Sequence, residues 1–598
     1  QNSSGYAVTL TQGTGANVVI PNGGIKMVVA DGAGSGAAVT DVLDMTGGTG
    51  NVGLGSGNLG TALTTGTDNV AIGEAALDAI TSGSDNTAVG DNAGGALTTG
   101  GQNTAIGSGA LITQTTGSYN TAVGYLSLTA NTTGVANIAV GESSLAANTT
   151  GDNNTGLGYS ALAANTTADD NTAIGRNSLL AATTAANNVA VGRSALAAIT
   201  TQGNLTAVGK SALAANTTGD SNTAVGYLSL EANTTGSANT AVGLSALDAN
   251  TTGASNTGVG AGALGGNTTA NNNTAVGKNA LVANTTGSEN VAVGQATLDA
   301  NTTGANNTGL GNAALGANTT ADNNTAVGSN ALAANTTGVS NTAVGYQALD
   351  TNTTGRYNTS IGIGSLTANT DGEFNVGLGG YALSSNTTAD NNTAAGYSAL
   401  GTNSTGANNT AFGYYALQAN TTASNNVAVG KGALAANTTG TDNVAVGYLA
   451  LDAQTTGGYN VAVGRDAGGT ITTGEKNVIV GSAAGDGMTT SDQCTVVGYG
   501  ALSAATTADN NTAIGYQALA ANTTGANNVA VGSYVLDANT TGGSSIAMGY
   551  SALGINTTGG NNTALGHSAL AQNTTANNNT AVGHETLTAN TTGTYNTA

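Results

Sequence analysis

One stretch of the chain decides the fold: Asn222-Thr223-Ala224-Val225-Gly226-Tyr227-Leu228-Ser229-Leu230-Glu231-Ala232-Asn233-Thr234-Thr235-Gly236. Its pattern recurs with a 17-residue period, so that a glycine equivalent to Gly226 stands at each step from Gly73 to Gly583, 31 glycines in register. One earlier step, from Gly55 to Gly73, is longer by a single residue. A fixed period without insertions is typical of solenoids, in which each coil stacks on its neighbours. We number each copy from this glycine, so that Val225 is at −1 and Leu230 at +4.

Positions −3 and −1 predict a short β-strand with one buried face. Position −1 is mostly Val, position −3 is Thr, Val or Ile, and a small Ala or Gly lies between them. This period of two indicates a strand, and we expect −3 and −1 to face the core. Position +4 is Leu in 28 of the 31 copies and Gly in the other three. Representative structural residues are Val123, Gly124, Leu128 and Asn131, then Val225, Gly226, Leu230 and Asn233, and finally Val344, Gly345 and Leu349.

The glycine and the Asn-Thr-Thr-Gly run predict two corners in each copy. Positions −1 and +4 have opposite parity, so one unbroken strand cannot bury both. We therefore expect a bend at the glycine and a second short strand or extended segment that carries the Leu. Asn233-Thr234-Thr235-Gly236 then returns the chain, and its Asn and Thr should form hydrogen-bonded ladders along the axis. The predicted fold is an all-β parallel β-solenoid of 17-residue coils over residues 51–598. About 32 coils, ~4.8 Å apart, would form a rod of roughly 150 Å.

Residues 1–50 lack the repeat and predict a separate, small β module. Val8-Thr9-Leu10-Thr11 alternates, and residues 17–29 read as two strands around an Asn22-Gly23 turn. Open solenoid ends aggregate, so we expect this module to cap the solenoid, to attach it to other proteins, or to set the register of its subunits. The chain stops within a repeat at Ala598, so we expect the natural polypeptide to continue.

Composition disfavours several classes of function. The net charge is −22 with only nine Lys and Arg and no basic cluster, which argues against nucleic acid and anionic membranes as partners. No apolar stretch approaches the ~18 residues of a transmembrane helix. Cys494 is the only cysteine, and we expect it to be a small buried residue. No catalytic motif or carboxylate cluster is evident, so we expect no cofactor and no enzyme, a polysaccharide-degrading solenoid included.

Position +1 holds most of the variation among the copies. It accepts Lys, Arg, Glu, Tyr and both histidines, which indicates that it faces solvent. It is either a solvated edge or a stripe of tyrosines that stacks on the sugar rings of a host surface glycan. His567 and His584 lie one coil apart and could pair on a metal with Glu585, but metal sites need three or four ligands, so we expect none. The stripe consists of Tyr125, Tyr159, Tyr227, Tyr346, Tyr397, Tyr414 and Tyr448.

The N-[TV]-A-V-G core resembles the S-V-A-I-G-type repeat in the head domains of trimeric autotransporter adhesins. Residues 188–192 and 528–532 are the most similar copies. The resemblance implies a left-handed parallel β-roll that assembles as a homotrimer, although the adhesin repeat is shorter than the repeat of this chain. The longer phrase at residues 341–349 also resembles repeats of bacteriophage tail-fibre proteins.

These resemblances imply a structural role at a virion surface or outside a cell. We expect the shaft of a phage tail fibre or other virion fibre, which positions a host-receptor-binding tip. Its partners would be further copies of the chain, since a thin coil gains from burial against itself, and other virion or cell-surface proteins at the N-terminal end. The alternative is a bacterial trimeric surface adhesin or an extracellular filament subunit.

Overall fold

The computed structural model describes residues 6–10, 18–20, 25–30, 39–45, 50–60 and 62–598. The chain divides into two compact units, Gln1–Asn290 and Val291–Ala598. Among the described residues all regular elements are β-strands, which confirms the predicted all-β class. None of these residues belongs to a helix long and apolar enough to cross a membrane.

Four strands precede the solenoid: β1 (Val8–Leu10), β2 (Val18–Ile20), β3 (Ile25–Ala30) and β4 (Val39–Met45). β1 pairs antiparallel with β2, and β3 pairs antiparallel with β4. The two strands predicted on either side of Asn22-Gly23 are therefore present, and each pairs with a different neighbour. The Asn22-Gly23 turn itself lies outside the described residues, and the module boundary at residue 50 stays a prediction.

Each unit contains a parallel β-solenoid, as the repeat predicts. Within a unit, each solenoid strand pairs in parallel with the next strand of the chain, so that equivalent residues of successive repeats are partners, as in Thr223↔Thr240. The first pair, Val52↔Val70, is offset by a single residue more, which matches the longer first step. The first unit contains β5 (Val52–Leu54), β6 (Val70–Ile72), β7 (Thr87–Val89), β8 (Thr104–Ile106), β9 (Thr121–Val123), β10 (Ile138–Val140), β11 (Thr155–Leu157), β12 (Thr172–Ile174), β13 (Val189–Val191), β14 (Thr206–Val208), β15 (Thr223–Val225), β16 (Thr240–Val242), β17 (Thr257–Val259) and β18 (Thr274–Val276).

The second unit contains β19 (Val291–Val293), β20 (Thr308–Leu310), β21 (Thr325–Val327), β22 (Thr342–Val344), β23 (Thr359–Ile361), β24 (Val376–Leu378), β25 (Thr393–Ala395), β26 (Thr410–Phe412), β27 (Val427–Val429), β28 (Val444–Val446), β29 (Val461–Val463), β30 (Val478–Val480), β31 (Thr495–Val497), β32 (Thr512–Ile514), β33 (Val529–Val531), β34 (Ile546–Met548), β35 (Thr563–Leu565) and β36 (Thr580–Val582).

The interior of a coil holds one large apolar side chain and several small ones. In the copy that begins at residue 222, Ala224, Ser229 and Leu230 are fully buried, while Val225 is only half-buried. The prediction that −3 and −1 face the core is therefore wrong: the Ala at −2 points inward and the residues on either side of it point out. The same correction applies to Val123 and Val344, whereas Leu128 and Leu349 are buried as predicted.

The residue at +4 lies in a turn, and the predicted second strand is not found in the described coils. Leu230 has a φ of 50°, in the left-handed region that costs a non-glycine residue about 1–2 kcal/mol. Full burial of its side chain and hydrogen bonds to the next coil offset this cost. The N–H of Leu230 donates to the carbonyl of Ala246 at 3.0 Å. Turns thus stack coil on coil as regularly as the strands do.

The corner glycine is required for two reasons. Gly226 has a φ of 142°, which L-residues rarely adopt. A Cβ there would also overlap the carbonyl oxygen of Gly243 in the next coil. The predicted bend at this position is confirmed.

Buried asparagines form two columns inside the coils; the column at +7 was predicted from the Asn-Thr-Thr run, and the column at −4 was not. At +7, Asn233 Nδ2 donates to Asn216 Oδ1 at 2.7 Å and to the Gly236 carbonyl at 2.9 Å. Asn131 at the same position donates to Gln114 Oε1 at 2.9 Å. At −4, the backbone N–H of Asn239 donates to the Asn222 side-chain oxygen at 2.9 Å. These bonds satisfy polar groups that would otherwise be costly in so narrow an interior.

Cys494 replaces asparagine in the −4 column. It is buried, as predicted, and its backbone N–H donates to Asn477 Oδ1 at 2.9 Å. Burial raises the pKa of its thiol to about 11, so the thiol is protonated at neutral pH.

Candidate interaction surface

The side chains at −3 and −1 form what we call the outer strand face. Every −1 residue from Ile72 to Val582 is apolar, and every −3 residue is Thr, Val or Ile, so no charged residue occurs in either column. The larger members are well exposed: Leu157 is 43% exposed in the first unit, and Leu310 is 47% exposed in the second. The face is therefore apolar, exposed and repeated in every coil.

The backbone of the outer strand face is paired, so the hydrogen-bonding groups that remain on the face are the threonine hydroxyls at −3. Its backbone N–H and C=O groups pair with the strands of neighbouring coils, as in the ladder between β15 and β16. Three residues of extended chain and a coil spacing of ~4.8 Å give roughly 50 Å² of face per coil. The 14 strands of the first unit and the 18 of the second then present roughly 600–900 Å² each. Exposed apolar patches of this size mark interaction sites.

The two columns of the outer strand face carry no charge, but carboxylates stand near them in the sequence, at +1 as in Glu142 and at −5 as in Asp170. Several aspartates stand at +5, in the turn that follows the buried Leu. Burial raises the pKa of the carboxyl group in Asp248, Asp299, Asp350, Asp452, Asp486 and Asp537. Other acidic groups, such as Asp152, accept backbone N–H bonds from the preceding coil, here from Val135 at 2.7 Å.

All seven tyrosines of the predicted stripe are exposed, but most are engaged with a neighbouring coil. Tyr397 and Tyr414 stack with ring centroids 5.7 Å apart. Lys431 lies between Tyr414 and Tyr448, 5.9 Å and 5.7 Å from the two rings. Tyr159 pairs with Arg176 at 5.6 Å, and Tyr227 pairs with Lys210 at 5.3 Å. Position +1 thus links successive coils through ring–ring and cation–ring contacts.

Two members of the stripe, Tyr125 and Tyr346, have neither a ring nor a cation partner among the described residues. A sugar stacks on the face of a ring, and rings that stack on one another have fewer open faces. Tyr125 and Tyr346 are consequently the members best placed for a sugar, and glycan binding by the stripe stays a prediction.

The longest ring column was missed as a unit by sequence reasoning. It runs through Tyr499, Tyr516, Tyr534, Tyr550, His567 and His584, with successive centroids 5.6, 5.3, 6.0, 5.4 and 4.9 Å apart. Tyr534 stands at +2, one residue later than the other five, which hides the column from a search of position +1 alone. Counting aromatic residues coil by coil would have found it.

The fold and its surface define a β-solenoid repeat protein with an uncharged outer strand face and an aromatic, solvent-exposed +1 column. Comparison with protein-family models, with curated proteins and with solved structures finds no match to this chain.

Proposed function

We propose that this chain is the shaft of a fibre that assembles from parallel copies of itself, and that the fibre holds a receptor-binding tip away from a virion. The observation that carries the proposal is the outer strand face, since long β-solenoids are typical of structural proteins and this one exposes an apolar stripe in every coil. The resemblance of the repeats to phage tail-fibre sequences favours a virion fibre. A shaft performs no chemistry along its length.

A second copy of the chain is the occupant that best fits the outer strand face. Parallel copies in register would bring Thr, Val and Ile of one coil against the same residues of another, with no carboxylate between them. The roughly 600–900 Å² available per unit matches the ~800 Å² that each partner buries in a stable interface. A homotrimer would cover the face in all three chains.

Light scattering and electron microscopy of the full chain test the proposal. We expect particles of about three times 56.8 kDa and elongated images. The triple variant Val208→Lys, Val225→Lys and Val242→Lys should lower the particle mass while the far-ultraviolet circular dichroism is unchanged, because three ammonium groups per chain would be buried without partners.

A matched control keeps the number of added charges and moves them from −1 to +1. Gln295→Lys, Asn312→Lys and Ser329→Lys together place three lysines at +1 of successive coils, a position that holds lysine at Lys210 and Lys278, and should leave the particle mass unchanged. A monomeric wild-type chain of 56.8 kDa would refute the proposal. So would an equal loss of mass in the +1 variant. Open-ended polymers joined end to end would favour the extracellular filament instead.

A further inference from the structure

The two histidines of the chain stand side by side. His567 and His584 occupy position +1 of successive coils, with ring centroids 4.9 Å apart and ring planes 12° apart. The next residue, Glu585, places a carboxylate oxygen 3.9 Å from His584 Nδ1. One ligand atom from each of the three side chains lies within 4.8 Å of the other two. Two imidazoles and one carboxylate form a recurring ligand set for transition metals.

The backbone and the ring column hold the three groups in place. The N–H of Glu585 donates to the carbonyl of His567 at 2.8 Å, which ties the two coils together at the cluster. Tyr550 stacks on the other face of His567 at 5.4 Å, with ring planes 16° apart. The side chains themselves are exposed, so they can rotate from the present spacing to the ~3.3 Å between ligand atoms around a tetrahedral ion.

The electrostatic surroundings favour a cation. No Lys or Arg follows Lys476, whereas five carboxylates do, so no ammonium or guanidinium from this part of the sequence competes for Glu585. The remaining coordination positions face solvent and would hold water.

Against the expectation from the sequence that no metal binds here, we propose that His567, His584 and Glu585 bind one divalent transition-metal ion per chain, with Zn²⁺ the preferred ion. Imidazole nitrogens favour zinc, nickel and copper over calcium and magnesium, which take oxygen ligands. The ion would bridge two successive coils and so clamp them together.

Calorimetric titration of the metal-free full chain with Zn²⁺, in the presence of excess Mg²⁺, tests the site. We expect one site per chain. His567→Tyr and His584→Tyr should each weaken Zn²⁺ binding at least tenfold, and Glu585→Gln should weaken it severalfold. Tyrosine already stands at +1 in the preceding coil, at Tyr550, so both histidine variants keep the ring column. Circular dichroism verifies their fold.

Glu142→Gln is the matched control, since Glu142 stands at +1, one position earlier in its coil than Glu585, and has no histidine beside it. Its Zn²⁺ affinity should equal that of the wild type. Wild-type binding that is absent, that Mg²⁺ abolishes, or that survives both histidine substitutions would overturn the proposal. Substituting Co²⁺ gives a second readout, because visible absorption bands should appear in the wild type and not in the histidine variants.

Discussion

In most coils the Leu at +4 fills the interior, but in three coils a large apolar residue at +7 fills it instead. In a standard coil Leu230 is buried and Asn233 at +7 continues the asparagine column. In the other three, which we call swapped coils, glycine stands at +4 and a large apolar residue stands at +7. The swapped pairs are Gly94 with Leu97, Gly468 with Ile471, and Gly485 with Met488, and the three apolar side chains are buried.

In a swapped coil the interior volume is still filled and the turn has the same backbone conformation, but a different residue supplies the large side chain. A Cβ on Gly485 would lie 2.7 Å from Met488 Sδ, so the +7 side chain occupies the space beside +4. Gly468 has a φ of 59°, close to the 50° of Leu230, so the turn is the same in both kinds of coil. The void beside Gly94 and Leu97 is too small for a water molecule. A large apolar side chain can therefore come from +4 or from +7, and in two coils, with Leu77 and Ile80 and with Leu196 and Ile199, both positions supply one.

The largest effect is expected where both kinds of coil are alike. Gly226→Ala in a standard coil and Gly464→Ala in a swapped coil should each cost about 3–5 kcal/mol of local stability, because both glycines have a φ of 142° and a Cβ would strike the next coil. Hydrogen exchange of the flanking peptides measures the loss. Gly236→Ala is the control: a Cβ there would also meet a carbonyl of the next coil, but Gly236 is not in the left-handed region and Ala270 occupies the same position in another copy, so its cost should be smaller. Unequal losses at the two corners would show that the corner depends on the core.

Leu230→Ala should lower the local stability of a standard coil by about 2–5 kcal/mol, because no apolar side chain at +7 is present to fill the cavity. Hydrogen exchange of residues 222–250 reports the loss. Leu244→Ala removes the same atoms from a leucine at +1 that is 55% exposed, and should cost under about 0.5 kcal/mol. Similar costs at the two leucines would contradict the assigned interior.

A double-mutant cycle converts a standard coil into a swapped one. Asn233→Ile alone should cost about 1–3 kcal/mol, because Asn250 Nδ2 loses its 2.8 Å bond to Asn233 Oδ1. Combined with Leu230→Gly, the new isoleucine fills the vacated space, and the total cost should fall short of the sum by about 1–3 kcal/mol. Stability is measured by hydrogen exchange in all four chains. Additive costs would refute volume conservation as the rule.

The smallest effect concerns charge beside the swapped coils. The pKa of Asp452 is raised mainly by burial and further by Asp466 and Asp486. When the pKa of a carboxyl group is higher in the folded chain than in the unfolded chain, its ionised form destabilises the fold. This destabilisation is complete at neutral pH and disappears below the pKa of the unfolded chain, which is near 4. Asp452→Asn should thus stabilise at pH 7 by under about 1 kcal/mol and not at pH 3. Exposed Asp220→Asn should show no such difference, and an equal gain at both pH values would contradict the mechanism.

The ladders and corners could be predicted because they depend on local chemistry repeated at a fixed period. Gly226 and Asn233 are where turn geometry and amide pairing require them, whatever the rest of the coil does. The left-handed φ of Leu230 was missed because leucine carries no propensity for it. A signal was present, since the only residue that replaces leucine at +4 is glycine, which adopts positive φ freely.

The interaction surfaces were harder to predict than the fold. The variety of residues at +1 was enough to predict that the tyrosines are exposed. The stacking of Tyr397 on Tyr414 could not be predicted, because it depends on the coil spacing and on side-chain direction. The column through Tyr534 depends on the turn, which brings +2 of one coil beside +1 of the next.

The sequence by itself determined the 17-residue period, the glycine corner, the asparagine column at +7 and hence the parallel β-solenoid. Only the tertiary structure decided which side of each strand turns inward. The alternation of residues along a strand defines two faces, but the volume available inside the coil decides which face points inward. Because Leu230 already fills most of a narrow interior, a small residue such as Ala224 takes the inward position in nearly all copies, and Val225 is turned outward. The same limit on volume creates the apolar outer strand face.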